Sequence, residues 1–158
     1  MAERLKPYRP DTNVWLFVTD PDEYSYDDLE RDTSTSWGGV TEYVSLKHLR
    51  DVDEGDIAVI FHGGTEQAIV GIARVVTDPY PAPGQGDPTL FAVDLEPDER
   101  LESPVSLAEL EDDPQFQDFD LLSTPELCIV PVPSWMWDRI QERSRAHLAG
   151  ITQEEDLL

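Results

Sequence analysis

The chain is poor in cysteine and in long apolar runs, and each shortage excludes a class of protein. Cys128 is the single cysteine among 158 residues, which excludes an internal disulfide and a metal site built from several thiolates. No apolar run approaches the roughly 20 residues of a membrane-spanning helix, and the polar residues 1–6 do not resemble a secretory signal. We therefore expect a cytoplasmic protein without a membrane partner, in which Cys128 is buried and inert.

Positive charge is also scarce. Eleven basic residues, of which two are lysines, face 34 acidic ones, and the formal net charge is −23. Such a chain repels itself at low ionic strength and repels nucleic-acid backbones. The excess suits either a dedicated cationic partner or the cytosol of a halophile, where molar salt shortens the screening length to about 3 Å. Because the acids are spread along the whole chain, the composition favours a halophilic archaeon.

The length is that of one domain with a substantial core. Residues 1–12 are polar and carry two prolines, which predicts an arm with little structure. Residues 13–149 are predicted to form the domain, and residues 150–158 a solvated acidic tail. No internal repeat or domain-length linker interrupts the chain.

Apolar and β-branched runs predict five strands, over residues 14–18, 57–62, 68–76, 90–95 and 127–132. The second and third form the clearest hairpin, and Pro131 predicts an edge or a bulge for the last strand. Residues 33–40 and 79–88 are predicted loops.

Short helices are predicted between these strands. Ser25 and Ser106 are expected to cap two of them, with an acidic residue three positions later in each, and residues 43–49 suit a helical turn. A last helix over residues 135–148, capped by Ser134, has one apolar face formed by Trp137, Ile140, Ser144 and Leu148. Strands interleaved with short helices, without regular βαβ spacing, predict an α+β fold with a mixed sheet curled toward a barrel.

The sequence contains no catalytic, cofactor-binding or metal-binding motif. His62-Gly63-Gly64 is similar to the oxyanion loop of lipases, but no G-x-S-x-G nucleophile elbow accompanies it. The three histidines do not have zinc-binding spacing, and residues 84–86 form a glycine turn without the helix that phosphate binding needs. We expect a protein that is not an enzyme and carries no metal or cofactor.

Candidate ligand-binding residues follow the first strand, where residues 14–18 give way to Thr19, Asp20 and Pro21. A strand that ends in a proline turn places small polar groups at a sheet edge, where they can line a pocket. Partial burial of Asp20 is expected from this position. Its carboxylate suits a turn cap as well as a ligand contact.

Two further side chains are candidates with more than one interpretation. Trp37 lies in a Ser/Thr/Gly segment, where an exposed indole can serve as a stacking platform for a planar base. His62 ends a predicted strand and suits either a structural hydrogen bond or a pocket wall. Trp15 and Trp137, by contrast, are expected to pack in the core.

Four blocks of the chain, in order from about residue 14 to 141, resemble the EVE domain, a PUA-like family. The family opens with an aromatic strand, Lys-Ser-Glu-Pro, Tyr-Ser and Asp-Leu, which residues 15–29 resemble. Its Trp-Asp-Gly-Val-Arg-Asn-Tyr block is similar to residues 37–43, and its Phe-Tyr-His-Ser strand end to residues 60–63. The late Leu-Ser-Val-x-Pro-Val is similar to residues 127–132, and Trp137 matches an aromatic in the last helix.

The resemblance implies a curled pseudo-barrel of five to six strands with short flanking helices. It also implies a non-catalytic module with a pocket for a nucleobase, often a modified one, in DNA or RNA. Trp37 would stack on the base, Thr19 and Asp20 would read its edge, and His62 would line the wall. The other candidate ligand-binding positions in this pocket are Trp15, Pro21, Gly38, Val40, Tyr43 and Gly63.

The chain departs from the family where the family carries cations. Val18 replaces a lysine, Thr41-Glu42 and Leu46-Lys47 each replace an Arg-Asn pair, and Glu126 replaces an arginine. Cations at these positions would hold phosphates, so affinity for a nucleic-acid backbone should be lower. The alternatives are a binder of a free nucleoside or small molecule, and an acidic protein-interaction module with a vestigial pocket.

Overall fold

The computed structural model describes residues 12–84 and 86–157, and side chains as far as residue 147. The predicted arm, except residue 12, and the exposure of the predicted tail lie outside the described residues and side chains. In chain order the elements are β1 (Val14–Thr19), α1 (Tyr26–Asp32), β2 (Thr35–Trp37), α2 (Tyr43–Arg50), β3 (Ile57–His62), β4 (Ala68–Val75), β5 (Tyr80–Pro81), β6 (Phe91–Ser106), α3 (Leu107–Asp112), a 3₁₀ turn (Pro114–Phe116), α4 (Asp120–Ser123), β7 (Ile129–Val132) and α5 (Ser134–Leu157).

A mixed, strongly curled half-barrel sheet organises these elements, which confirms the predicted α+β fold. The strand order is β2-β6-β4-β3-β1-β7, and β5 pairs separately with β6. β1 runs parallel to β3 and antiparallel to β7. The hairpin of β3 and β4 is confirmed, and β7, which carries Pro131, lies at an edge as predicted.

β6 is much longer than the predicted strand over residues 90–95. It continues to Ser106 and pairs along its length with β2, β4 and β5. Pro97 and Pro104 are unusual within a paired strand, but the β4–β6 register shifts between Ile72 and Ala73, and Pro97 lies opposite Ala73. The irregular pairing accommodates a proline that a regular ladder would exclude.

The loop predicted over residues 33–40 is wrong at Thr35–Trp37, which forms the edge strand β2. Trp37 pairs with Val93 and Thr35 with Leu95 of β6. Three residues are too few to show an alternating pattern, and the partner lies almost 60 residues further along the chain, so local sequence carries little information about this strand.

The sheet separates two apolar cores, and β1 contributes to both. Val14 and Leu16 lie in the core that also holds Trp137, whereas Trp15 and Phe17 lie in the other. Successive side chains of a strand point to opposite faces, which explains this division. The expectation that Trp15 and Trp137 are packing residues is confirmed by their burial.

The helix caps agree closely with the sequence. Ser25 and Asp28 form a capping box at α1, and Ser106 and Glu109 form another at α3. α5 begins at Ser134, one residue before the expected start, and the expected position of Leu148 on its apolar face lies outside the described side chains. Among the described residues, no helix combines the length and apolar character needed to cross a bilayer.

Candidate functional site

The parallel pairing of β1 and β3 brings Thr19 and His62 side by side at the ends of their strands. The Thr19 carbonyl accepts a hydrogen bond of 2.8 Å from the Gly63 amide. The Thr19 hydroxyl donates to the Tyr24 carbonyl, also at 2.8 Å. These bonds fold the segment after β1 back over the strand end, and the hydroxyl, having donated its hydrogen, can still accept one.

Asp20 is exposed, so the expected partial burial is wrong. Its Oδ1 accepts from the Asp22 amide at 2.9 Å, which makes it the turn cap that was one of its two interpretations. A carboxylate that organises a turn by bonding its own backbone remains solvated, because the turn itself is at the surface. Gly64 lies beside it at φ +60°, where a Cβ would come within 3.4 Å of Oδ1. Among the described residues, Asp20 Oδ2 has no partner and remains a hydrogen-bond acceptor.

His62 is buried, and hydrogen bonds fix its tautomer. Nε2 accepts from the Tyr26 amide at 2.9 Å, and Nδ1 lies 2.8 Å from Oε1 of Glu66. An amide can only donate, so Nε2 carries no proton and Nδ1–H donates to Glu66. Both ring nitrogens are therefore occupied, and His62 orients the first turn of α1, one of the two roles that the sequence left open.

Trp37 belongs to an aromatic cluster with Phe17 and Tyr24. The Trp37 and Phe17 ring centroids are 5.6 Å apart at an interplanar angle of 72°, and those of Trp37 and Tyr24 are 6.1 Å apart at 85°. Both are edge-to-face contacts, the favoured arrangement of aromatic pairs. Tyr24 donates to Oδ2 of Asp32 at 2.9 Å, and burial raises the pKa of its phenol. Trp37 is half-buried, so the indole is held in a defined place without being enclosed.

The segment that follows Trp37 is also held closely. A Cβ on Gly38 would lie 3.3 Å from the Ala92 Cβ, so β2 approaches β6 tightly at this point. Val40 is buried in the core beneath the cluster. Tyr43, at the start of α2, is 79% exposed and does not contribute to that core.

Trp15 lies apart from these residues, toward the other end of β1. Its Nε1 donates to Oδ2 of buried Asp56 at 3.0 Å. It also lines a cavity of about 490 Å³ whose wall includes Phe119, Met136 and Pro131. The structure therefore links Trp37 to Thr19 through Tyr24 and places His62 beside Thr19, bonded to Tyr26. Trp15 lies in the same apolar core as Phe17, but toward the opposite end of β1.

Sequence reasoning missed Phe17 and Tyr24 as parts of the site. Phe17 comes two residues after Trp15 in β1, so the two side chains share a face of the sheet. The two-residue period of a strand could therefore have placed Phe17 on that face. Tyr24 follows the proline turn, and no local pattern shows that this turn folds back toward Trp37. Only its ring contact with Trp37 in the folded protein identifies it.

Comparisons with known proteins agree on one family and one fold. The profile of the EVE domain matches residues 13–143. A protein from Rhodopseudomonas palustris is 26% identical over 85% of this chain and 94% of its own, with a TM-score of 0.80. Human THYN1, solved in complex with DNA containing 5-methylcytosine, is 21% identical over 84% and 98%, with a TM-score of 0.77.

A more distant fold is also similar. The YTH domain of the Zygosaccharomyces rouxii MRB1 protein, solved with N6-methyladenosine RNA, is 8% identical over 88% of this chain and 90% of its own, with a TM-score of 0.53. The likeness to this domain and to human THYN1 is one of fold. No curated protein matches the sequence significantly.

Proposed function

This chain belongs to the EVE domain family, and from that membership we propose that it is a non-catalytic module that binds a modified nucleobase. Two proteins of similar fold were solved with such bases, 5-methylcytosine in DNA and N6-methyladenosine in RNA. Proteins of this fold thus occur in complexes with DNA and with RNA that carry a methylated base, which favours this function for the present chain.

The observation that carries the proposal is the half-buried indole of Trp37, whose neighbour Tyr24 closes a turn that holds two hydrogen-bond acceptors. Phe17 and Tyr24 hold the indole by edge-to-face contacts, so a planar base can stack on it without reorganising the site. The Thr19 hydroxyl and Asp20 Oδ2 belong to the turn that Tyr24 closes.

These acceptors indicate which edge of a base the site reads. The Thr19 hydroxyl uses its hydrogen on the Tyr24 carbonyl, and an ionised carboxylate only accepts. Both groups therefore suit a base that offers N–H donors, as the exocyclic amino groups of cytosine and adenine do. His62 acts indirectly, because its two nitrogens support α1 and the turn.

Calorimetric titration with nucleosides in molar KCl tests the proposal. We expect binding of a nucleoside of 5-methylcytosine or N6-methyladenosine, the bases seen with proteins of similar fold, and weaker binding of thymidine, whose one N–H donor, N3–H, lies on the ring and not on an exocyclic nitrogen. Trp37→Ala should abolish binding because the stacking surface is lost. Trp135→Ala is the matched control, since this tryptophan is 50% exposed and its ring contact is with Phe116.

The proposal fails if neither modified nucleoside binds, or if Trp37→Ala and Trp135→Ala bind equally well. If Asp20→Asn changes neither the affinity for the amino-bearing nucleoside nor that for thymidine, the assignment of the acceptors is contradicted. The stacking role of Trp37 would stand in that case.

A second candidate function, an acidic protein-interaction module, is favoured by the cavity beside Trp15. Three aspartates line it together with apolar side chains, and among the described residues no side chain pairs with these carboxylates: Asp51, Asp118 and Asp120. Such a wall suits a cation with an apolar stem, such as a lysine or arginine of a partner. A basic peptide whose binding is weakened by Asp118→Asn and unaffected by Trp37→Ala would support this function; the opposite pattern would exclude it.

A further inference from the structure

Helix α2 presents one face to the core and another to solvent. Ser45, Leu46 and Leu49 are buried. Tyr43, Lys47 and Arg50, at positions i, i+4 and i+7, are exposed and lie on one side of the helix. We name these three side chains the α2 face.

The cations of the α2 face differ from most others in the chain. Five other arginines of the described residues bind carboxylates at 4.0 Å or less: Arg31, Arg74, Arg100, Arg139 and Arg143. Within the described residues, Lys47 makes no hydrogen bond or ion pair. Arg50 donates to the Thr89 carbonyl at 2.9 Å and lies 4.7 Å above the Phe91 ring, so no carboxylate neutralises it.

The nearest acid at the start of the helix is already engaged. Both carboxylate oxygens of Glu42 accept backbone amides, from Val44 at 3.0 Å and Ser45 at 2.7 Å. These bonds hold the pKa of Glu42 below its usual range. Among the described residues, no carboxylate thus pairs with either cation of the α2 face, in a chain whose net charge is −23.

The α2 face also lies next to the proposed base site. The Arg50 guanidinium lies over the ring of Phe91. Phe91 comes two residues before Val93, which pairs with Trp37. The Phe91 carbonyl lies 3.9 Å from where a Cβ of Gly38 would stand. Arg50 is therefore linked to the segment of Trp37 through Phe91 of β6.

We propose that the α2 face binds the nucleotides that flank the captured base in a single strand. Lys47 and Arg50 pair with phosphates, and Tyr43 stacks on a neighbouring base. An exposed aromatic beside two cations is the arrangement with which proteins hold single strands. This inference rests on the proposed function, and it places the phosphate contacts on α2 even though Thr41 and Glu42 supply no cation.

Fluorescence anisotropy with a labelled deoxythymidine strand of about eight nucleotides tests the inference separately from base recognition. We expect weak binding. The logarithm of the association constant should fall linearly with the logarithm of the salt concentration, with a slope of about −1.4 for two phosphates. Lys47→Gln should reduce the slope by about 0.7. Tyr43→Ala should weaken binding about fivefold or more and leave the slope unchanged.

Arg145→Gln is the matched control, because this exposed arginine of α5 has no partner among the described residues and lies on a different element. Lack of binding to the strand, or equal effects of Lys47→Gln and Arg145→Gln, would overturn the inference. If the α2 face fails this test, the wild-type protein should still bind the nucleoside, and Trp37→Ala should still abolish that binding. Failure of the α2 face and failure of the base site therefore give different patterns.

Discussion

At the scale of single residues, the close approach of Gly71 to Tyr26 connects the sheet to α1. A Cβ on Gly71 would meet the Tyr26 ring at 2.8 Å. That ring is buried, and its hydroxyl donates to the Ile72 carbonyl at 2.6 Å, which leaves it little freedom to move. Tyr26, which fills the space above Gly71, also donates its backbone amide hydrogen to His62.

Gly71→Ala should therefore destabilise the protein, by about 1–3 kcal/mol if the ring is forced to shift. Gly63→Ala is the control, because its Cβ would have ordinary contacts, 3.6 Å to Val18 and 3.7 Å to the Thr19 carbonyl. Chemical denaturation of the two variants measures the difference. Equal stabilities would show that Tyr26 is not rigidly packed.

At the scale of elements, buried Asp113 joins the 3₁₀ turn to α5. One of its oxygens accepts from Arg139 at 2.8 Å and from Arg143 at 2.9 Å, and the other from the Gln115 amide at 3.0 Å. These bonds, led by that from Arg143, lower the pKa of Asp113 to about 2. A carboxyl group with a lowered pKa stabilises the fold while it is ionised.

Asp113→Asn should lower the thermal midpoint at neutral pH, since it removes the charge that both arginines bind. The folded pKa is about 2 against an ordinary 3.8, so the contribution of Asp113 is complete above about pH 4 and is lost as the pH falls through 2. The difference between wild type and variant should shrink over that window. Asp112→Asn, on the exposed neighbour, is the control, and a difference that is independent of pH would contradict the role of the ion pairs.

At the scale of the whole molecule, the main feature is the large net negative charge. A net charge of −23 on 158 residues makes self-repulsion large when salt is low. Raising the ionic strength from 0.1 to 1 M shortens the screening length from about 10 Å to about 3 Å. The halophilic origin that the composition favours remains a prediction of the sequence.

The thermal midpoint should rise by several degrees between about 0.05 and 0.3 M KCl, a range in which screening changes most. Scanning calorimetry over this series measures the effect, and replacing KCl by an equal molarity of NaCl controls for ion identity. A midpoint that does not depend on salt would show that the acidic surface is organised so that repulsion costs little.

Short-range patterns predicted the elements whose stabilising contacts are local. The caps at Ser25 and Ser106 depend on residues three positions away, and the β3–β4 hairpin needs only its own turn. Both follow from the sequence because the interacting groups are close along the chain. The order of strands and short helices predicted a mixed, curled sheet, and the family resemblance added the expectation of five to six strands.

Long-range pairing was not visible in the same way. β2 and most of β6 form because distant strands meet. β2 is too short to show an alternating pattern, and the prolines and charges in the later part of β6 are unusual for a strand. The site shows the same limit: Thr19, Trp37 and His62 could be named from the sequence, but their relation depends on Tyr24 and Tyr26, which reach them across the fold.

The amino-acid sequence was thus sufficient for the class of fold, the net charge and most candidate side chains, because these follow from composition and from contacts between near neighbours. Folding in three dimensions settled that His62 supports α1, that Trp15 lines a cavity toward the other end of β1, and that Lys47 and Arg50 share an exposed face of α2. Those relations depend on which strands pair and which helix side is buried, and residues far apart in the chain decide both.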